Sequence, residues 1–133
     1  MSQENVEIAR RSMDAFTAEG VDVALRFFTP DCVWYTTDRW LEGSAYRGHD
    51  GIRRLAGAFS DNFDDVGFEV QEIRDADDRV AALLYMNGRI KNTATPIRQT
   101  LGLEIAGFRN GMFAEVRAFQ SWHEALKAVG LEE

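Results

Sequence analysis

The sequence predicts an α+β domain in which a strongly curved antiparallel sheet wraps over N-terminal helices. Two observations carry this. Apolar residues recur at helical spacing through the first half of the chain, and from Phe68 onward the texture changes to alternating strands separated by tight turns. A third sets the scale: 133 residues, 45 % hydrophobic and 28 % charged, are one domain, spanning 1–133, with enough mass to bury a core.

Val6, Ala9, Met13 and Phe16 form the apolar stripe of a first helix, with Ser2 available as a cap and Gly20 as a stop. "VDVALRFFTPD" reads as a short second helix capped by Asp22 and ended before Pro30. "CVWYTTD" is β-branched and aromatic, hence a strand. "WLEGSAYRGHDG", with three glycines and no periodicity, reads as a loop with room for a short strand. Ile52, Leu55, Phe59 and Phe63 then share one face of a third helix that starts at Asp50. Four strand candidates follow: "FEVQEIR", "RVAALLYMNGRI", "PIRQTLGLEIAGF" and "FAEVRAF". They are joined by the turn "DADD", the polar loop "KNTAT" and the tight turn "RNGM". "SWHEALKAVG" closes as a helix whose Ser121 and Glu124 have capping-box spacing.

The Asn110-Gly111 pair sets a register, because both residues tolerate the positive φ of a type I′ turn. With these two as the loop, Glu104 faces Arg117, Ile105 faces Val116 and Leu103 faces Ala118. One face of the hairpin then holds Leu101, Leu103, Ile105, Ala114, Val116, Ala118 and Gln120. The other holds Glu104, Ala106, Phe108, Phe113, Glu115, Arg117 and Phe119. Burying the aliphatic face is favourable and burying the charged one costs several kcal/mol, so Glu115 and Arg117 belong outside. Aromatic residues around an ion pair on that outer face point to a second subunit covering it, a homodimer.

Charge and composition narrow the function. Lys plus Arg number 15 against 22 Asp plus Glu, a formal charge of −7, and the cations occur as short pairs rather than as a patch, which argues against nucleic acid as a partner. A single cysteine, Cys32, excludes an internal disulfide and any CxxC metal site. The two histidines, His49 and His123, are far apart in sequence, so no metal and no cofactor is expected. No apolar run approaches the roughly 20 residues of a membrane span, and the opening segment does not read as a secretion signal, so a cytoplasmic protein without membrane partners is expected.

The stretches "TAEGVDVALRFFTPDCVW", "YRGHDGIRRL", "NGMFAEVRAF" and "HEALKAVGL", in that order along nearly the whole chain, resemble the SnoaL-like polyketide cyclases of the nuclear-transport-factor-like superfamily. The resemblance implies a cone: a bent antiparallel sheet and three helices around an apolar pocket, commonly dimeric through the outer sheet face. It does not imply one reaction, since that superfamily includes cyclases, ketosteroid isomerase, dehydratases, epoxide hydrolases and members with no known chemistry. By the same resemblance, the isomerase's oxyanion tyrosine falls at Met13, its general-base aspartate at Thr36 and its protonated aspartate at Leu103. None of the three can do that job, because proton transfer between two carbons needs a carboxylate base and a donor to the developing enolate. The mapping also places Val116, Ala118 and Gln120 on the pocket wall.

If Thr36 faces inward, alternation sends Trp34 and Asp38 the same way. Asp38, flanked by Arg39 and Trp40 near the mouth of the cone, is the candidate base, since an aromatic neighbour excluding water raises a carboxyl pKa; the bland alternative is a solvated aspartate at a strand end. Trp34 is either a ligand platform or plain core. Tyr46 and His49 fall in the loop before the third helix, where a pocket rim is expected, and His49 is equally well read as a surface residue. Two functions follow. One is acid/base chemistry on a compact, largely apolar polyketide-like or terpenoid molecule, with Asp38 accepting the proton and Gln120, Tyr46 or His49 polarising an oxygen. The other is ligand binding or scaffolding by the same cone without turnover.

Overall fold

In the computed structural model, which describes residues 2–36 and 45–131, the periodic opening segment is helix α1 (Ser2–Glu19). Gly20 ends it at φ 96°, a backbone conformation that L side chains rarely adopt. Helix α2 (Val21–Ala24) follows and tightens into a 3-10 turn over Leu25–Phe27. Its N-cap is Gly20 and not Asp22, whose carboxylate instead accepts a hydrogen bond from Arg53 Nε at 3.0 Å.

Strand β1 (Phe28–Tyr35) begins ahead of the expected Cys32 and runs through Pro30. Its pairing shifts register between Phe28 and Val33, which accommodates a residue that has no N–H to give the ladder. The short strand β2 (Ala45–Arg47) and helix α3 (Gly48–Asn62) come next, the helix starting at Gly48 rather than Asp50. Phe63, expected on the helical stripe, is already extended and opens β3 (Phe63–Asp75). Asp65 at φ 54° and a register shift between Asp64 and Gly67 break the alternation there, which is why the start of this strand is not readable as one. The chain then runs through β4 (Arg79–Ile90), β5 (Pro96–Ala106), β6 (Phe113–Phe119) and α4 (Trp122–Ala128).

The six strands are ordered β2-β1-β6-β5-β4-β3. The sheet is mixed, not wholly antiparallel: the direction of β6 is set by its hairpin with β5, and β1 lies parallel to it. Helix α1 packs on β3 and β4, and α3 packs on β1, β2 and β3, so the open sheet wraps over its helices as an α+β cone. No helix among the described residues is long and apolar enough to cross a membrane.

Register decides which side chains enter the cone. Asn110 at φ 54° and Gly111 at φ 76° make the turn, and Leu103 pairs with Ala118, Glu104 with Arg117 and Ile105 with Val116. Across β4, Val80 pairs with Ile105 and Ala82 with Leu103, so one continuous aliphatic face is buried. Phe113 is the exception: placed outside by simple alternation, it is 1 % exposed, with its ring 4.6 Å from that of Phe28. At this end of the hairpin Gly107 turns to φ 72°, and alternation carried from the turn no longer applies.

On the outer face Glu104 is only 6 % exposed, and it is paired. Arg79 Nη1 donates to its Oε2 at 2.6 Å, while Arg117 Nε lies 3.8 Å from its Oε1 and donates to Glu115 at 3.1 Å. Helix α4 docks beside this network on β5. The Ser121 hydroxyl accepts from Glu124 N at 3.1 Å, and the same hydroxyl lies 3.1 Å from the Glu124 carboxylate, to which it donates. Contact is close at Gly102, where an added Cβ would overlap the Ser121 carbonyl oxygen and come within 2.9 Å of Ala125 Cβ. Gly102→Ala is therefore expected to destabilise the fold by about 1–3 kcal/mol through overpacking. Gly111→Ala, at a position with nothing within 4 Å, carries only the left-handed penalty of roughly 1–2 kcal/mol. Urea denaturation followed by circular dichroism checks both, and Gly102→Ala is the one expected to loosen α4 as well.

Candidate functional site

Between the aliphatic sheet face and the helices lies a cavity of about 70 Å³. Helix α1 brings Ser12, Met13 and Phe16 to it, α2 brings Val21 and Ala24, and α3 brings Ile52, Leu55, Ala56 and Phe59. The sheet supplies Phe28 and Trp34 from β1, Phe68 from β3, Leu84 from β4, Leu101, Leu103 and Ile105 from β5, and Phe113 and Val116 from β6. No described lining residue carries an acid, a base or a thiol. The single hydroxyl, that of Ser12, donates to the Ala9 carbonyl at 2.8 Å and so is spent on its own helix.

Met13, Trp34, Leu103 and Val116 stand in this lining. Thr36 is buried just beyond Trp34, and Ala118 is buried on the inner face opposite Leu103, both outside the lining. Tyr46 pairs with Trp34 across the β1–β2 ladder and is packed in the core, with the Arg54 guanidinium 5.5 Å from its ring centre. His49 is half-buried with Nε2 3.0 Å from the Phe28 carbonyl oxygen, an acceptor that makes Nε2 the protonated nitrogen. Gln120 is exposed past the end of β6. Thr36, Tyr46, His49, Ala118 and Gln120 are thus not in the cavity lining, and Asp38 and Trp40 lie outside the described residues.

What the sequence reading misses is the aromatic content of the wall. Phe16, Phe28, Phe59, Phe68 and Phe113 join Trp34 around the cavity. The available signal was their number, nine phenylalanines in 133 residues, concentrated in the segments that build the helices and strand ends.

The profile of the SnoaL-like domain family matches residues 9–116. A comparison with curated proteins finds no match. Among solved structures, an NTF2-like protein of unknown function from Burkholderia pseudomallei K96243 has 17 % identity and a TM-score of 0.77, over 96 % of this chain and 98 % of that one. TerC, co-crystallised with polyporic acid, has 17 % identity and a TM-score of 0.77, over 93 % and 98 % of the two chains. A protein of ketosteroid isomerase-like fold from Catenulispora acidiphila DSM 44928, in complex with trimethylamine, has 18 % identity and a TM-score of 0.73, over 94 % and 93 %. At these identities the likeness is one of fold.

Groups with displaced pKa values stand away from the cavity. Hydrogen bonds from Thr29 Oγ1 at 2.7 Å and Arg109 Nη2 at 2.6 Å hold the exposed Asp31 carboxyl below the usual aspartate range. No group of three or more His, Cys, Asp or Glu among the described residues is placed to hold a metal ion. Cys32 is 1 % exposed, and burial, reinforced by the nearby Asp31 charge, pushes its thiol pKa up. Both effects suppress nucleophilicity. Cys32 in the native protein should therefore react with a thiol reagent on the order of a hundredfold or more slowly than in urea, reporting opening of the fold. Equal rates in the two states would show that β1 is not packed as described.

Proposed function

The chain belongs to the SnoaL-like domain family, and from that membership and the chemistry of the cavity wall we propose that it binds a compact, neutral, largely apolar small molecule. One observation carries the reading: the wall is aliphatic and aromatic, and the only hydroxyl among its described residues donates to its own helix. Affinity then comes from apolar burial at roughly 25 cal/mol per Å², and a charged ligand would be stripped of water without a partner. TerC with polyporic acid and the Catenulispora protein with trimethylamine support small-molecule occupancy of cones of this shape. At about 70 Å³ the cavity is smaller than the roughly 150 Å³ engineered void that takes benzene in another protein, so lining side chains must yield to admit a ring. A single ring or a short branched chain, as in a small polyketide-like or terpenoid compound, is the class that fits.

Any turnover is proposed to rest on Asp38 as proton acceptor, with Trp40 beside it and Gln120, Tyr46 or His49 polarising an oxygen. The lining offers no substitute for that base, because Met13, Leu103 and the nearby Thr36 neither accept nor deliver a proton in such chemistry. The same absence among the described residues favours the second reading, binding without turnover. We also propose a homodimer through the outer sheet face. Arg117 over the Tyr35 ring at 4.4 Å, Arg98 over Tyr85 at 3.9 Å and the neighbouring glutamates present a mixed-charge, aromatic surface suited to a second copy.

Toluene is expected to raise the melting temperature, with a stabilisation of about 2.7 kcal/mol at a hundredfold excess over Kd. Ala56→Phe fills the cavity and should abolish that shift. Persistence of the full shift in Ala56→Phe would move the ligand elsewhere. Asp38→Asn is expected to spare binding and to stop any turnover. Light scattering after size exclusion checks the assembly, and a strict monomer at tens of micromolar would remove the dimer.

A further inference from the structure

Five of the cavity-lining residues, Phe16, Val21, Trp34, Ala56 and Phe68, are only partly buried, and they mark where the wall meets solvent. Two of the rings among them touch: Phe16 and Phe68 have centroids 5.2 Å apart, and Phe59 meets Phe68 edge-on at 6.3 Å. This aromatic cluster is part of the cavity wall, with one ring each from α1, α3 and β3. Phe68 is held there from behind. Its N–H donates to Thr17 Oγ1 at 3.0 Å, and the same hydroxyl donates to its carbonyl oxygen at 3.2 Å, so the end of α1 grips the backbone of residue 68 on both sides. The grip needs a close approach, since a Cβ on Gly67 would come within 3.2 Å of Thr17 Cγ2. Met86, fully buried, pairs with Phe68 across the ladder, so the two side chains lie side by side on one face of the sheet. The two hydrogen bonds to Thr17 fix the backbone from which the Phe68 ring projects into the cavity wall.

We propose that Phe68 is the size-limiting residue of the site and Thr17 its positioning residue, so that the protein accepts single-ring ligands and excludes fused two-ring ones. This rests on the ligand-binding reading above. Removing the ring adds a phenyl group's worth of space at the solvent end of the cavity. Losing the Thr17 hydroxyl frees the backbone that carries the ring, with no change in the lining itself.

The test is calorimetric titration of the full chain with toluene and with naphthalene, read as the ratio of the two affinities. Phe68→Ala is expected to tighten naphthalene by about tenfold or more while toluene changes by less than about threefold. Phe68→Leu, which retains bulk and guards against a misfolded alanine variant, should fall between. Thr17→Val should relax the ratio in the same direction, and Thr17→Ser, which restores the hydroxyl, should return it to the parent value. A toluene-binding parent whose ratio is unchanged in the Phe68 variants overturns the size-limiting role and leaves the ligand-binding reading intact. Failure of both probes to bind any variant overturns both.

Discussion

Every residue of the β4–β5–β6 meander is committed to one side of the sheet, and the rest of the molecule depends on that commitment. Ala82, Leu103 and Ala118 lie in one row on the inside; Ala81, Glu104 and Arg117 lie in the adjacent row on the outside. A slip of one residue would drive Glu104 among aliphatic side chains, away from Arg79 and Arg117, and leave a buried charge unpaired. The same slip would turn Leu103 and Ile105 out to solvent and dissolve the cavity. Register is therefore the condition for having an interior at all.

Under the proposed binding function, such an interior would select by shape. A wall whose described polar groups are only the Ser12 hydroxyl and the Trp34 indole N–H would distinguish ligands that differ by a methylene only modestly, whereas polar sites reject a missing hydroxyl strongly. Selectivity must then come from where rings sit and how firmly they are held. Polar side chains of the cone pair outside it, in the Arg79–Glu104–Arg117–Glu115 network, in the Arg53–Asp22 pair that joins α3 to α2 and in the Arg53–Asp50 pair within α3.

The parts of this fold that were readable in the sequence are those governed by local chemistry. Asn110-Gly111 announced its turn, and the inner and outer rows of β5 and β6 followed from it; the stripe on α1 and the Ser121 cap were equally local. The parts that were hidden depend on irregular backbone or distant partners. Asp65 and the bulge beside it disguised the start of β3, and the side of the sheet taken by Phe113 depends on Phe28 of β1 and on the turn at Gly107. Met13, Trp34, Leu103 and Val116 stand in the cavity lining, but neither alternation nor the resemblance conveys distance. Tyr46 turned into the core beneath Arg54, and the phenylalanines that close the wall come from segments that are adjacent only after folding.

Parallel pairing of β1 with β6 joins residues 28–35 to residues 113–117, across more than half of the chain. The β1–β2 pair touches the rest of the sheet only through that seam, so it remains a two-stranded edge until β6 arrives. A ribosome extending this chain presents Phe28 and Trp34 long before their β6 partners, Phe113 and Val116, exist. Loop closure over that distance is a slow, late event, and it makes the non-local seam, rather than the readily formed β5–β6 hairpin, the step at which folding competes with aggregation.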